Sequence, residues 1–228
     1  LQRQDFLTGT SWGTAANWVG NQVPGAADAA FIRGEFNTIF GSGDVVLDQN
    51  DLVASLFVGT SSNLRTGAFR LDVSGTTTID FDGTFPFSQI FVETGGELET
   101  GNLNIDGGEL DMEGGLADIQ STLTITKNST GGNITGFGTV DVQNLMTNNG
   151  LISADSNGTL TFTSTNGGNV FDIDGNGSGE VRAESGNIVF SGNINPVFAG
   201  EMTIGEDRFI EINNDWRLTS AGELNIEG

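Results

Sequence analysis

Residues 95–115, with the sequence GGELETGNLNIDGGELDMEGG, decide the fold of this chain. Gly-Gly-Glu-Leu occurs at Gly95 and again at Gly107, and Ala-Gly-Glu-Leu follows at Ala221. Apolar and polar residues alternate between the glycines, and the apolar ones are Leu98, Leu103, Ile105, Leu110 and Met112. This period of two is typical of a strand with one buried face. Strands this short cannot each bury a core, so the segment predicts that they stack on copies of themselves.

The rest of the chain repeats the pattern as short apolar segments, each bounded by turn residues such as Gly, Asn, Asp, Ser or Thr. Examples are Val45–Leu47, Leu56–Val58, Phe69–Val73, Leu123–Ile125, Val140–Val142, Leu160–Phe162 and Ile188–Phe190. No apolar pattern with the helical period of 3.6 persists beyond one turn. The sequence therefore predicts a nearly all-β protein.

Composition limits the classes of partner and chemistry. The chain has 30 acidic and eight basic residues and a formal net charge of −22. Such a surface repels nucleic acid and anionic membranes, so we expect neither as a partner, and no apolar run has the length of a membrane-spanning helix. The chain has no cysteine and no histidine. Disulfides, thiolate nucleophiles and cysteine-type zinc sites are excluded, and the commonest acid–base residue is missing.

Regular short strands also fit a β-sandwich, and three features favour a solenoid instead. Gly-Glu-Leu units recur, although a sandwich gives each strand its own role. Asparagine is abundant in the turns, where stacked side chains can form hydrogen-bond ladders. Each strand offers only one or two apolar residues to the core. At roughly 20 residues a coil, about ten coils are expected, stacked at the spacing of neighbouring strands.

The first 35 residues carry a family resemblance. It rests on Trp12, Asn17, Trp18, Pro24, Asp28 and Ile32. In this string the chain resembles the opening of autotransporter-passenger and related adhesin-type secreted bacterial repeat proteins, in which such residues precede a β-helix. The resemblance implies an all-β, single-stranded right-handed parallel β-helix that is secreted or lies at the bacterial cell surface. We predict one solenoid domain over residues 1–228, with residues 1–32 as an N-terminal Trp-rich capping segment, as part of a larger exported protein.

The tryptophans have two interpretations. Trp12 and Trp18 can cap the first coil, whose apolar side chains and backbone would otherwise be exposed, or their faces can stack on sugar rings. The capping interpretation is favoured. Further contact candidates are Phe85 and Phe87, which flank Pro86 in an expected loop, and Trp216 near the C-terminus.

One segment resembles a calcium loop. Asp172, Asp174 and Asn176 provide oxygen ligands at alternate positions before a glycine, as in the first half of an EF-hand loop. Ala183 stands where the bidentate glutamate should be, so an acidic turn without metal is the favoured alternative. Ca²⁺ is the one cofactor that the sequence suggests. The acidic residues of 95–115 are expected to form a solvated face.

The sequence favours a non-enzymatic extracellular structural or adhesin-like solenoid that attaches to a polysaccharide, host or matrix surface. No nucleotide-binding or hydrolase motif is present to indicate catalysis. Two alternatives stay open. One is a filament subunit that self-associates end to end, and the other is a carbohydrate-binding or carbohydrate-active β-helix.

Overall fold

The structure is a computed structural model that describes residues 2–7, 9–33, 44–59, 61–81, 88–127, 132–164, 170–175, 177–195, 197–213, 217–219 and 221–227. It confirms the predicted fold, a parallel β-solenoid of about eight turns with 63% strand and 3% helix. The strands are Gln2–Asp5 (β1), Asp28–Arg33 (β2), Asp44–Val46 (β3), Asp51–Val53 (β4), Ser55–Gly59 (β5), Asn63–Arg65 (β6), Arg70–Asp80 (β7), Gln89–Glu93 (β8), Glu97–Asp106 (β9), Glu109–Ile119 (β10), Thr122–Thr126 (β11), Asn133–Val142 (β12), Leu145–Asn149 (β13), Leu151–Ala154 (β14), Thr159–Thr163 (β15), Val170–Asp172 (β16), Glu180–Ala183 (β17), Asn187–Phe190 (β18), Asn193–Ile194 (β19), Val197–Phe198 (β20), Glu201–Ile204 (β21), Ile210–Ile212 (β22), Arg217–Leu218 (β23) and Glu223–Ile226 (β24).

The main strands form three parallel faces, which we name by their members. Face A contains β1, β2, β5, the second half of β7, the second half of β9, β11, β13, β16 and β19. Face B contains β3, β6, β8, the first half of β10, the first half of β12, β14, β17, β21 and β24. Face C contains β4, the first halves of β7 and β9, the second halves of β10 and β12, β15, β18 and β22.

The segment 95–115 is one complete coil. Residues 97–100 lie on Face C, residues 102–105 on Face A and residues 109–113 on Face B. The chain then returns to Face C, where Leu116 pairs with Glu97. The two Gly-Gly-Glu-Leu units therefore mark two of the three corners of one triangular coil, and Gly101 lies at the corner between them.

Coil length varies more than the sequence indicated. Register partners along Face B are Asp44, Asn63, Gln89, Glu109, Asn133, Leu151, Glu180, Glu201 and Glu223. Their spacing ranges from 18 residues, between Asn133 and Leu151, to 29 residues, between Leu151 and Glu180. Longer coils account for about eight turns instead of ten.

The core consists of apolar ladders, in which each inward side chain packs on its register partner in the next coil. On Face B the ladder is Val45, Leu64, Ile90, Leu110, Ile134, Ile152, Val181 and Met202, all of them buried. Stacking shields every inner side chain from water on both sides. A single strand would leave its apolar face exposed, but the stacked strands bury these faces against one another and are stable.

The N-terminal segment closes the first coil, as predicted. The backbone of residues 10–12 extends Face B, because the Val46 N–H donates to Thr10 O at 2.6 Å and the Trp12 N–H donates to Val46 O at 2.9 Å. Trp12 and Trp18 are fully buried. Their rings make an edge contact at 4.9 Å between centroids, and Phe6 makes another with Trp18 at 5.0 Å. Aromatic rings thus cover the end of the apolar ladders.

Candidate functional site

The three faces differ in the chemistry of their outward side chains. The central outward ladder of Face A is uncharged over six coils: Phe31, Phe57, Thr78, Asn104, Thr124 and Thr147. Face C carries four acids on successive coils: Asp72, Glu99, Asp118 and Asp141. Face B is mixed, with Arg65, Phe91, Asp111, Thr135, Ser153 and Arg182 in line. A ligand would therefore meet a different chemistry on each face.

Among the described residues, one group of three acids on Face C is compact enough to hold a metal ion. The carboxylate oxygens of Glu97, Glu99 and Asp118 lie within 4.8 Å of one another, and oxygen ligands so arranged can hold a divalent cation. Arg70 already supplies positive charge there, because it contacts the Glu99 carboxylate directly and lies 3.5 Å from Glu97 Oε1. The arginine serves as the counter-ion of this group.

Asp118 lies next to several groups that influence its charge. Burial raises the pKa of Asp118, and repulsion by Asp141 on the following coil acts in the same direction. Hydrogen bonds from Gln143 and Gln120, the latter at 2.9 Å, oppose the shift because they favour the charged carboxylate. Neighbouring polar groups therefore partly offset the repulsion between the carboxylates of the Face C ladder.

Face B contains a carboxyl group with an unusual proton affinity. Asp111 stacks between Phe91 and Thr135, and burial together with repulsion by Glu109, Glu113 and Asp155 raises its pKa to about 7. Arg65 opposes this shift, and its guanidinium lies 3.8 Å from the centre of the Phe91 ring. Alternation placed Asp111 on the outward face but could not show how deep an outward residue lies.

Asp111→Asn should stabilise the chain at neutral and alkaline pH. The folded pKa is about 7 and the ordinary value is 3.8, so the contribution of Asp111 to stability falls as the pH rises from about 4 to about 7. The shift corresponds to about 4 kcal/mol at most, and solvent screening at this half-buried position reduces the expected gain to about 1–2 kcal/mol at pH 8. Urea unfolding at pH 4 and pH 8 measures it.

Glu206→Gln is the matched control for that experiment, because it removes a carboxylate from an exposed position. We expect its stability to follow that of the wild type at both pH values. Parallel stability curves for Asp111→Asn and the wild type between pH 4 and 8 would contradict the prediction.

Of the predicted contact residues, the structure describes Trp12 and Trp18, and both lie in the interior of the cap. Trp12 and Trp18 are buried, and neither indole presents a face to a sugar ring. The Trp12 Nε1–H donates to Asp51 Oδ2 at 2.6 Å and the Trp18 Nε1–H donates to Trp12 O at 2.7 Å, so both polar atoms have partners within the cap. Phe85, Phe87, Trp216 and Asn176 lie outside the described residues.

The predicted calcium ligands Asp172 and Asp174 are close together at the end of β16. Asp174 is 3% exposed and accepts a hydrogen bond from the Ala199 N–H of the next coil. Its carbonyl oxygen accepts from three successive N–H groups, those of Gly177, Ser178 and Gly179. Burial and the Asp174 carboxyl group raise the pKa of Asp172 to about 6. Asp174 thus joins two coils, and calcium binding at this turn stays a prediction.

Face A carries an aromatic and basic group that was not predicted from the sequence. Phe31 and Phe57 are register partners on neighbouring strands, and their rings stack with centroids 5.7 Å apart. Arg3 lies 4.2 Å from the centre of the Phe31 ring, and Arg33 lies 4.5 Å from that of Phe57. The recurrence of a phenylalanine one coil apart, at Phe31 and Phe57, could have indicated this group. Because the coils differ in length, the sequence alone did not show that the two residues are register partners.

Searches against protein-family models, curated proteins and solved structures found no match to this chain. The resemblance of the N-terminal segment to secreted bacterial β-helix proteins accordingly stays a prediction. Among the described residues, no helix is both long and apolar enough to span a membrane.

Proposed function

We propose that this chain is a non-enzymatic extracellular structural solenoid of the adhesin type, which attaches through Face A. The observation that carries the proposal is the uncharged outward ladder of that face, which runs over six coils in a chain of net charge −22. This ladder can approach another surface at low desolvation cost, because none of its six side chains is a carboxylate that has to lose its water. Faces B and C keep the protein soluble.

The stacked architecture supports this role. Every coil repeats the same strand spacing, so side chains on one face stand in straight rows about 4.8 Å apart. Such rows can make many weak contacts at once with a repetitive partner. Polysaccharides and matrix or host-surface proteins are repetitive in this way, and we propose them as the partner class.

The proposal predicts that Thr124→Glu weakens attachment. The carboxylate would stand in the middle of the uncharged ladder, and we expect retention of the labelled chain on polysaccharide or matrix-coated beads to fall at least tenfold. Thr139→Glu is the matched control, because Thr139 is a half-buried outward threonine on Face C. Equal loss in both variants would overturn the assignment of attachment to Face A.

Reducing ends released from the polysaccharide are measured in the same samples. Their accumulation would replace the structural proposal with a polysaccharide-active enzyme. End-to-end self-association stays a prediction. Leu224 and Ile226 on the last described coil are 39% and 70% exposed, and at the other end of the solenoid Leu7 and Val19 are 60% and 43% exposed.

A further inference from the structure

We propose that Phe31, Phe57, Arg3 and Arg33, the aromatic–arginine patch of Face A, bind a sugar acid of a polysaccharide that carries scattered uronate residues. This inference rests on the proposed function and names the chemistry that Face A would recognise. The two rings are inclined by 25° to each other and stack on the outside of two neighbouring coils, and we call this pair the platform. Arg3 lies over the Phe31 ring and Arg33 over both rings, so the C–H groups of a pyranose ring would pack against the outward edge of the stack.

The platform depends on Gly59, which pairs with Arg33. A Cβ atom at Gly59 would lie 2.3 Å from Cε1 of Phe57, so the ring occupies the space that a side chain would fill. The phenyl ring lies along the strand for this reason. Arg33 reaches across from the neighbouring strand and contacts the rings of both Phe31, at 5.3 Å, and Phe57, at 4.5 Å.

The two arginines differ in their charge partners. Arg3 Nε donates to both oxygens of Asp5, at 2.9 and 2.8 Å. None of the ion pairs among the described residues involves Arg33, which is exposed. A guanidinium that stacks on aromatic rings keeps the N–H groups of its edge available and in a fixed plane. Arg33 can therefore hold a carboxylate through two parallel hydrogen bonds.

The surroundings favour a polysaccharide with isolated charges over a continuous polyanion. Thr78, Asn104 and Thr124 continue the line of the two phenylalanines and offer hydroxyl and amide groups to neutral sugar rings. Asp80 and Asp106 stand beside this line and repel further negative charge. A polysaccharide can therefore place one uronate at Arg33 and its following neutral sugar rings along the uncharged ladder of Face A.

The test compares two xylo-oligosaccharides of equal length, one carrying a single glucuronate branch and one without it, by isothermal titration calorimetry on the full chain. We expect the glucuronate to tighten binding at least tenfold. Arg33→Gln should abolish this difference between the two oligosaccharides. Phe57→Ala should weaken binding of both at least tenfold, because it removes the platform.

Arg65→Gln is the matched control. Arg65 also stacks on a phenylalanine, Phe91, but it already pairs with Asp44 at 3.1 Å and Glu93 at 3.2 Å. We expect no change in either affinity for this variant. Melting temperatures of all variants establish that they are folded, and Phe57→Leu replaces Phe57→Ala if the alanine variant unfolds.

Equal affinity for the two oligosaccharides, or an effect of the glucuronate that survives Arg33→Gln, would overturn the inference. So would equally tight binding of a Glu-Gly repeat peptide, which would favour a protein partner. The outcomes separate this inference from the proposed function. Attachment that is sensitive to Thr124→Glu but not to Arg33→Gln contradicts the sugar-acid site alone. Binding of the glucuronate oligosaccharide by a chain that attaches to no surface contradicts the attachment role alone.

Discussion

Gly115→Ala should lower the free energy of unfolding by about 3 kcal/mol, at the upper end of the usual cost of overpacking. A Cβ atom at this position would lie 2.5 Å from Glu93 O and 2.8 Å from Gly96 O. Both contacts are with the backbone of the neighbouring coil, which cannot rotate away as a side chain would. The parallel hydrogen bonds on either side of the corner hold that backbone in place.

The same corner recurs in neighbouring coils. A Cβ at Gly96 would meet Gly67 O at 2.3 Å, and one at Gly138 would meet Gly115 O at 2.8 Å. Gly25→Ala is the matched control, because a Cβ there would meet only Asp28 Oδ2, at 3.9 Å. Urea unfolding measures the difference between the two variants. A cost for Gly115→Ala no larger than that of Gly25→Ala would show that the coils can separate at the corner without loss of stability.

Trp12→Ala should cost about 3–5 kcal/mol of stability, the usual range for removing a buried large aromatic ring. The variant loses the edge contact with Trp18 and leaves Asp51 without the indole donor. It also uncovers the end of the apolar ladders at the first coil. Chemical denaturation followed by circular dichroism measures the loss.

Two further variants divide this effect into its causes. Trp12→Phe keeps a ring in the cap but removes the hydrogen bond to Asp51, so we expect an intermediate cost. Val19→Ala changes a residue of the same segment that is 43% exposed, and its cost should stay within about 0.5 kcal/mol. If Trp12→Ala is as mild as Val19→Ala, the tryptophan does not cap the solenoid.

Much of the fold could be predicted because it rests on local rules. Alternation at Leu103 and Ile105, and again at Leu110 and Met112, showed which side of each strand is buried, and all four side chains are buried. The glycine corners could be located because only glycine fits where coils touch at backbone distance. The capping role of Trp12 also followed from a physical need, since the first coil has no neighbour on one side.

The candidate sites were harder to predict than the fold. Asp172 and Asp174 were found as a pair, but their spacing in sequence did not show that the carboxylate of Asp174 turns inward to Ala199. Trp12 and Trp18 were considered as contact residues from residue type alone. Residue type does not determine whether a ring lies inside or outside a coil.

By itself, the sequence determined that short alternating strands must stack into an all-β solenoid, because alternation and turn chemistry act over a few residues. The tertiary structure alone decided which outward residues stand in line. Coil lengths differ, from 18 to 29 residues on Face B, so the register between coils cannot be counted along the chain. Stacking brings Glu99 to Asp118 on Face C, and Arg33 to Phe57 on Face A. The segment 95–115 illustrates both points. Its alternation determines which side chains are buried, and the neighbouring coils determine which groups its outward side chains contact.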